Sequence, residues 1–514
     1  MGSTTENNKR IAKNTLLLYV RMLFSMTVGL YTSRVILNAL GVEDFGIYNV
    51  VGGVVTMFDF IKGSLSGATQ RYITIELGKG NIPQLKKIFS ISLSIHILFS
   101  LIIIILAETI GLWFLLDKMH IPDDRMTAAL WVYQCSILTS IIMMMGTPYY
   151  AAIIAHERMN IFAYISILEV VLKLLIVFLL PCFPLDRLIC YAILIVTSQI
   201  LIRFSYKSYC NKHFKETIYH WQWDKSLFKE VLTYTGWTLN GNLAAVGYTQ
   251  GLNILLNLFF NPIVNAARGI AVQVEGVIKN FFFNFQTALN PQLTKSYAQN
   301  NYAYMHQLIV VSSKFSFYMA LLFSLPVILE ITPILECWLG TVPECTSIFI
   351  RIILISSMLS TMANPIITSI NATGNIKHFR IIESTMLLSI VPLAYLVLKL
   401  TPAPPESVFI VYLIVELCTQ CTRIRIVLPQ IGMKINKYIN EVLIPIVTVG
   451  ILSPILPYIV YYLFPKHTIT SFILVSTTCV LSTSLSAYFI GCTTGEKGMI
   501  KAQINKIRKK INSQ

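Results

Sequence analysis

The residues best placed to do chemistry in this chain are charges and amides inside apolar runs long enough to cross a bilayer. The clearest set lies between Arg268 and Asn290. With Arg268 as zero, Glu275 falls at about −20°, Lys279 at about +20°, Gln286 at roughly 0° and Asn290 at about +40° on a helix. One polar stripe therefore follows a helix whose other faces are apolar. A mid-membrane charge costs at least about 2.5–3.5 kcal/mol, so such groups face protein or water. Glu275 and Lys279, four residues apart, can neutralise each other, but that leaves Arg268, Gln286 and Asn290 unexplained. The stripe is expected to line a cavity. The preceding apolar run repeats the pattern without charge: Thr235, Thr238, Asn242, Thr249 and Asn253 fall within about 40° of one face. Such a face suits a hydrated cavity that meets sugar hydroxyls, or else interhelical hydrogen bonds.

Further charges are spread along the chain. Arg21 and Arg34 share the first apolar run but point about 140° apart, so without a bend they cannot face one cavity, and Arg34 has the alternative of reaching outer headgroups. Asp59 and Lys62 sit among glycines in the second run. Glu169 and Lys173 have the spacing of a self-neutralising pair. Glu383 and Glu416 read as isolated acids, placed at interfaces or in ion coupling; Asp59, Glu275 and Glu383 are the candidates for coupling. No phosphate-binding loop, nucleophile elbow or metal-spaced histidine cluster occurs, and no cofactor is expected beyond a proton or sodium gradient or the membrane potential. The ten cysteines are scattered, and Cys418 and Cys421 lie in an apolar stretch without nearby histidine.

The elements that position these residues follow from composition. Only 12% of 514 residues are charged, 55% are hydrophobic and the mean hydropathy is +0.66. A soluble protein could not hide so much apolar surface, so the fold class is an all-α polytopic membrane protein. Proline, glycine and charge clusters divide it into about fourteen spans, approximately 14–38, 45–70, 87–115, 128–152, 161–181, 187–206, 231–259, 264–290, 308–332, 347–370, 381–400, 406–424, 441–463 and 469–491. The first run is too long for a signal peptide and reads as a retained span. With the N-terminus inside, 28 of the 40 lysines and arginines fall on inner segments and eight on outer ones. That bias places both termini in the cytoplasm. It also accounts for the net charge of +16 without a nucleic-acid partner, and leaves the basic tail from Lys501 to Lys510 to anionic membrane lipids.

Gly46-Ile47-x3-Val51-x-Gly53-Val54-Val55-x2-Phe58-x-Phe60 reappears 223 residues later as Gly269-Ile270-x3-Val274-x-Gly276-Val277-Ile278-x2-Phe281-x-Phe283. The copies begin spans 2 and 8. An even shift gives two six-helix lobes of the same orientation in a parallel pseudo-two-fold repeat. The expected division is 1–226 for spans 1–6, 227–426 for spans 7–12, and 427–514 for two extra spans and a basic cytoplasmic tail.

The stretch Thr32-Ser-Arg-Val-Ile-Leu-Asn-Ala-Leu-Gly-Val-Glu-Asp-Phe-Gly-Ile-Tyr-Asn49 resembles the start of Wzx-type polysaccharide-export flippases of the multidrug/oligosaccharidyl-lipid/polysaccharide (MOP) superfamily. Asn265-Ala-Ala-Arg-Gly-Ile-Ala271 and Ala288-Leu-Asn-Pro-Gln-Leu-Thr-Lys-Ser-Tyr-Ala298 look like that family's seventh-to-eighth span region. The resemblance covers essentially the whole chain. It implies a non-enzymatic transporter in a bacterial inner membrane. Such a protein moves undecaprenyl-diphosphate-linked oligosaccharide (for O-antigen of lipopolysaccharide, capsule or another surface glycan) outward by alternating access. It would work beside a polysaccharide polymerase and chain-length regulator. A cationic cavity is the family's usual account, and on that account Arg268 and Lys279, with Arg21, hold the diphosphate, while Asn242, Thr249 and Asn253 meet sugars. Arg34 and Lys62 complete the candidate set, and Glu275 tunes the Arg268–Lys279 pair. The rivals are a cation-coupled multidrug exporter, whose membrane acids spans 1 and 7 lack here, a lipid II-type flippase, and a glycan polymerase.

Overall fold

A computed structural model describes residues 2–56, 59–117, 119, 121–180, 186–220, 224–260, 262–339, 342–464 and 469–498. Regular structure among them is entirely helical. The first helices are α1 (Gly2–Leu40), α2 (Val42–Thr56), α3 (Asp59–Lys79), α4 (Ile82–Asp117), α5 (Asp123–Ala155), α6 (Met159–Leu179) and α7 (Arg187–His213). They are followed by α8 (Lys225–Phe259), α9 (Pro262–Ala298), α10 (Tyr302–Leu329) and the short α11 (Ile331–Leu339). The chain continues through α12 (Thr346–Thr373), α13 (Lys377–Leu400), α14 (Ser407–Gln430), α15 (Ile435–Leu463) and α16 (Thr470–Gly491).

Ten of these among the described residues, α4 to α7, α10 and α12 to α16, are long and apolar enough to cross a membrane. Side chains such as Ile105, Phe204, Ile254 and Tyr462 stand exposed on them and their neighbours, a surface suited to hydrocarbon. The chain is a multi-pass membrane protein. The other four expected spans correspond to α1, α2 with α3, α8 and α9, which carry most of the polar residues identified above.

The helices gather into two compact units. Unit 1 comprises residues 1–243 and 294–301, and unit 2 comprises 244–293 and 302–514. The division thus falls inside α8 and α9, not between residues 226 and 227. The first half of α8 is tied into unit 1: Tyr72 of α3 donates to Glu230 at 3.2 Å and meets the Tyr234 ring edge-on, and Asn242 donates to Ser64 at 2.7 Å. The last turn of α9 lies so close to α3 that a Cβ on Gly78 would stand 2.9 Å from the Ala298 methyl.

Residues of the expected C-terminal appendage are integral to unit 2. Lys314 of α10 is fully buried. Its ammonium reaches Glu496 at 2.8 Å and the Gly491 carbonyl at 3.2 Å. That carbonyl ends a π-turn, Ala487–Gly491, and also accepts from Tyr318 at 3.3 Å. Wide turns leave carbonyls available to outside donors. The π-turn at Ala107–Gly111 in α4 shows the same pairing in unit 1, where Tyr133 donates to the Ala107 carbonyl at 2.7 Å.

At the end of unit 1 where α1 hands over to α2 through left-handed Gly41 (φ 84°), Arg125 holds two carboxylates. It reaches Asp44 at 2.8 Å through Nε and Asp186 at 2.6 Å through Nη1. Asp186 also caps α7, accepting from the amides of Leu188 and Ile189. Burial alone would raise the Asp186 carboxyl, but the bonds from Arg125 and the cap outweigh it and hold the group below its ordinary value.

Two outcomes follow. Glu496→Ala leaves the buried Lys314 ammonium uncompensated, at a cost of about 3–5 kcal/mol, and is expected to lower the thermal midpoint in detergent. Replacing both partners, Lys314→Met with Glu496→Leu, is expected to recover most of the loss. The depressed Asp186 stabilises the fold above its unfolded pKa of about 3.9, and that contribution disappears as pH falls through the lower folded value. Asp186→Asn should therefore flatten the acid limb of a melting-temperature profile, and an unchanged limb would exclude this role.

Candidate functional site: a cationic cavity in unit 1

Five helices of unit 1 enclose a cavity of about 430 Å³. Its charged walls are Arg21 from α1, Lys62 from α3, Glu169 from α6 and Arg203 from α7, three cations against one carboxylate. Helical periodicity explains the convergence. Phe162, Ser166 and Glu169 on α6 stand at successive turns of one face, as do Gln199, Arg203 and Tyr206 on α7. Gly146 and Tyr150 come from α5, where a side chain on Gly146 would approach the Arg203 stem, with its Cβ 3.8 Å from Cγ.

The Arg21 guanidinium lies 4.6 Å over the Phe162 ring, a contact that stabilises a partly desolvated cation. Phe162 meets Tyr150 edge-on at 5.2 Å, and Tyr150 meets Tyr206 at 6.3 Å. Glu169 accepts from Lys173 at 2.8 Å and from Gln199 at 3.1 Å. It is also within electrostatic reach of Lys62 and Arg21. Arg203 makes no ion pair among the described residues. Guanidinium and ammonium donors beside phenols and an amide can bind an anion and hydroxyls together. The cavity's size is that of a small-molecule site. Among the described residues no group of three His, Cys, Asp or Glu could hold a metal.

Of the expected site residues, Arg21 and Lys62 come together here. The side chains of Arg34 and Asp59 lie outside the described residues. The others divide. Asn242 spans from α8 to Ser64, and Thr249 bonds the Ala245 carbonyl of its own helix at 2.7 Å. Arg268 is 5% exposed. It bonds Asn253 and, at 2.8 Å, the Thr249 carbonyl, so the expected diphosphate ligand and two expected sugar ligands engage one another. Asn253 further donates to Gln250. Glu275 and Lys279 form a 2.8 Å ion pair. Part of their stripe makes interhelical bonds within unit 2: Gln286, 1% exposed, donates to Ser316 and to the Thr361 carbonyl, and Asn290 reaches Asn364 and Thr368.

Glu383 and Glu416 are not isolated. Arg423 of α14 bonds Glu383 at 2.8 Å, Glu416 at 2.7 Å and Gln420 at 3.2 Å, and Arg380 bonds Glu383 at 2.8 Å. All five side chains are buried. Arg380 and Arg423 belong to the interior of unit 2.

No protein-family model matches the chain, and no curated protein matches it in sequence. Solved structures do. An outward-facing multidrug-resistance MATE transporter of the MOP superfamily superposes with a TM-score of 0.71 at 13% identity, covering 82% of this chain and 96% of the other. The chain shares the fold of that transporter. A mutant of a Vibrio cholerae MATE transporter gives 0.67 at 17% identity, also over 82% and 96%. A MOP-superfamily transporter from Pyrococcus furiosus, reported for the reverse polarity of its binding pocket, gives 0.68 at 14% over the same shares.

Sequence reasoning missed Arg203, Tyr206, Gln199 and Tyr150. The signal was present: Gln199, Arg203 and Tyr206 have the same stripe spacing that singled out α9. Arg203 lies near the end of its expected span, 187–206, where a charge ordinarily reaches water.

The two charge sites should respond oppositely to deletion. Arg423→Ala strands the buried Glu416 and leaves Glu383 to Arg380 alone, and is expected to cost about 3–5 kcal/mol, seen as loss of monodisperse protein in detergent. Arg203→Ala, lacking an ion-pair partner, should stay within about 1 kcal/mol of wild type. Equal destabilisation of both variants would contradict the assignment.

Proposed function

We propose that this chain is a secondary transporter that flips a diphosphate-linked oligosaccharide on a polyprenyl lipid, of the kind used for O-antigen, capsule or another surface polysaccharide. The observation that carries this reading is the unit 1 cavity, where three cations face one carboxylate beside tyrosine, serine and glutamine side chains. A diphosphate diester is a compact dianion, and fork-shaped guanidinium donors match its oxygens. The adjoining hydroxyls and amide match a sugar. The diphosphate contacts are accordingly assigned to Arg21, Lys62 and Arg203. Arg268, held by its own neighbours in α8, becomes a structural residue.

On this reading the protein works by alternating access in a bacterial inner membrane, both termini cytoplasmic, and hands its cargo to a polymerase and chain-length regulator. A cation-coupled multidrug exporter is the second reading, favoured by the fold it shares with MATE transporters. A surplus of cations in the cavity disfavours a cationic drug. The reversed pocket polarity reported for the Pyrococcus furiosus relative accords with varied cargo on this fold.

A deletion strain decides between them. The flippase reading expects loss of surface glycan with lipid-linked precursor retained on the cytoplasmic leaflet. Wild type should restore export, whereas Arg21→Ala with Arg203→Ala should insert normally and export at least about tenfold less, the effect of losing roughly 1.4 kcal/mol or more of headgroup binding. Intact glycan with raised drug sensitivity would assign the protein to drug export.

A further inference from the structure

We infer that Glu108 and Gln134, with the Trp131 indole beside them, form a lipid-facing site for a phospholipid whose headgroup carries a primary ammonium. The site is separate from the unit 1 cavity and does not depend on what that cavity carries.

Four acids of the membrane-crossing helices have a cation of their own. Lys173 bonds Glu169, Lys279 bonds Glu275, and Arg423 bonds both Glu383 and Glu416. Glu108 of α4 differs. It accepts from the Gln134 amide of α5 at 3.3 Å and makes no ion pair among the described residues. Gln134 is exposed, as are Ile105, Thr109, Ile110 and Trp131 around it. The carboxylate therefore stands at the surface that meets lipid.

Its depth follows from the helix. Lys86 and Lys87 mark one boundary of the hydrocarbon. About 30 Å of hydrocarbon, or roughly 20 residues at about 1.5 Å each, ends near Glu108. The exposed Trp131 and Trp113 agree with that level, because indoles concentrate at membrane boundaries. Glu108 is thus placed where the headgroups begin, in the leaflet opposite Lys86 and Lys87.

The backbone pins it there. Glu108 belongs to the wide turn Ala107–Gly111, and the buried Tyr133 of α5 donates to the Ala107 carbonyl at 2.7 Å. Such turns occur frequently at functional sites.

Charge complementarity then selects the headgroup. A carboxylate withdrawn from bulk water needs a cation, and a lipid-facing acid can take one from the bilayer. A primary ammonium brings N–H donors to a Glu108 oxygen, whereas a quaternary one has none. The Trp131 ring adds cation–π attraction. Trp131 and Gln134 are three residues apart on one helix face. The indole N–H and the second amide N–H of Gln134 are donors for the adjoining phosphate.

The test titrates the full chain in detergent with 1-palmitoyl-2-oleoyl phosphatidylethanolamine or its N-trimethyl analogue, the phosphatidylcholine, and reads binding by native mass spectrometry. The two lipids share chains, phosphate and net charge, so only the ammonium differs. Wild type is expected to bind the first phosphatidylethanolamine about threefold to fivefold more tightly, the range of an exposed ion pair. Glu108→Gln is expected to bind both lipids alike, with wild-type affinity for phosphatidylcholine showing that it is folded. Equal affinities in wild type overturn the inference, as does a preference that survives in Glu108→Gln. Photo-cross-linking in membranes, with p-benzoylphenylalanine in place of Ile110, checks the occupant. Adducts of lipid mass are expected, and a defined polypeptide adduct would overturn the inference by assigning this surface to a protein partner.

Discussion

A charge withdrawn from water has to be met by an opposite charge, by oriented dipoles or by a hydrated space, and leaving it unmet costs several kilocalories per mole. That constraint sorts the interior cations of this chain. Lys314 is met by Glu496 and a backbone carbonyl. Arg423 is met by two carboxylates, and Arg268 by an amide and a carbonyl of α8. The cations around the unit 1 cavity share one acid between them. The first two arrangements are closed, Arg268 keeps a buried Nε without a hydrogen-bond partner, and the cavity has capacity for a further anion.

Much of this was legible in the residues. Composition alone required a polytopic helical protein, and the spans drawn from proline, glycine and charge clusters are compatible with the observed helices. The spans judged unusually polar are those outside the ten that length and hydropathy alone identify. Arg21 and Lys62 could be picked out because a charge deep in an apolar run demands an explanation. Arg203, Arg380 and Arg423 escaped because they lie near the ends of their runs, where a charge ordinarily reaches water. Periodicity places residues on one face of a helix but does not say which neighbour that face meets. The α9 stripe was real as a stripe, yet Gln286 and Asn290 on it meet Ser316, Thr361, Asn364 and Thr368.

The two units also show how a small change in spacing alters a charge site. In each, an acid on the fifth expected span of the lobe faces a glutamine and an arginine on the sixth. In unit 1 the arginine follows the glutamine by four residues, Gln199 and Arg203; in unit 2 it follows by three, Gln420 and Arg423. One residue is about 100° on a helix. In unit 1 the glutamine takes the acid, Glu169, and the arginine lines the cavity. In unit 2 the arginine takes the acid, Glu383.

The wide turn at Ala107–Gly111 bears on how this chain can be lined up with others. A π-turn accommodates one residue more than the α-helical turn it replaces, so the faces of α4 before and after it are out of phase by about 100°. A relative whose corresponding helix is uninterrupted would need a one-residue gap there, and the same holds at Ile439–Leu443 and Ala487–Gly491. At identities near 13%, an ungapped alignment through these helices would pair buried positions with lipid-facing ones for every residue downstream.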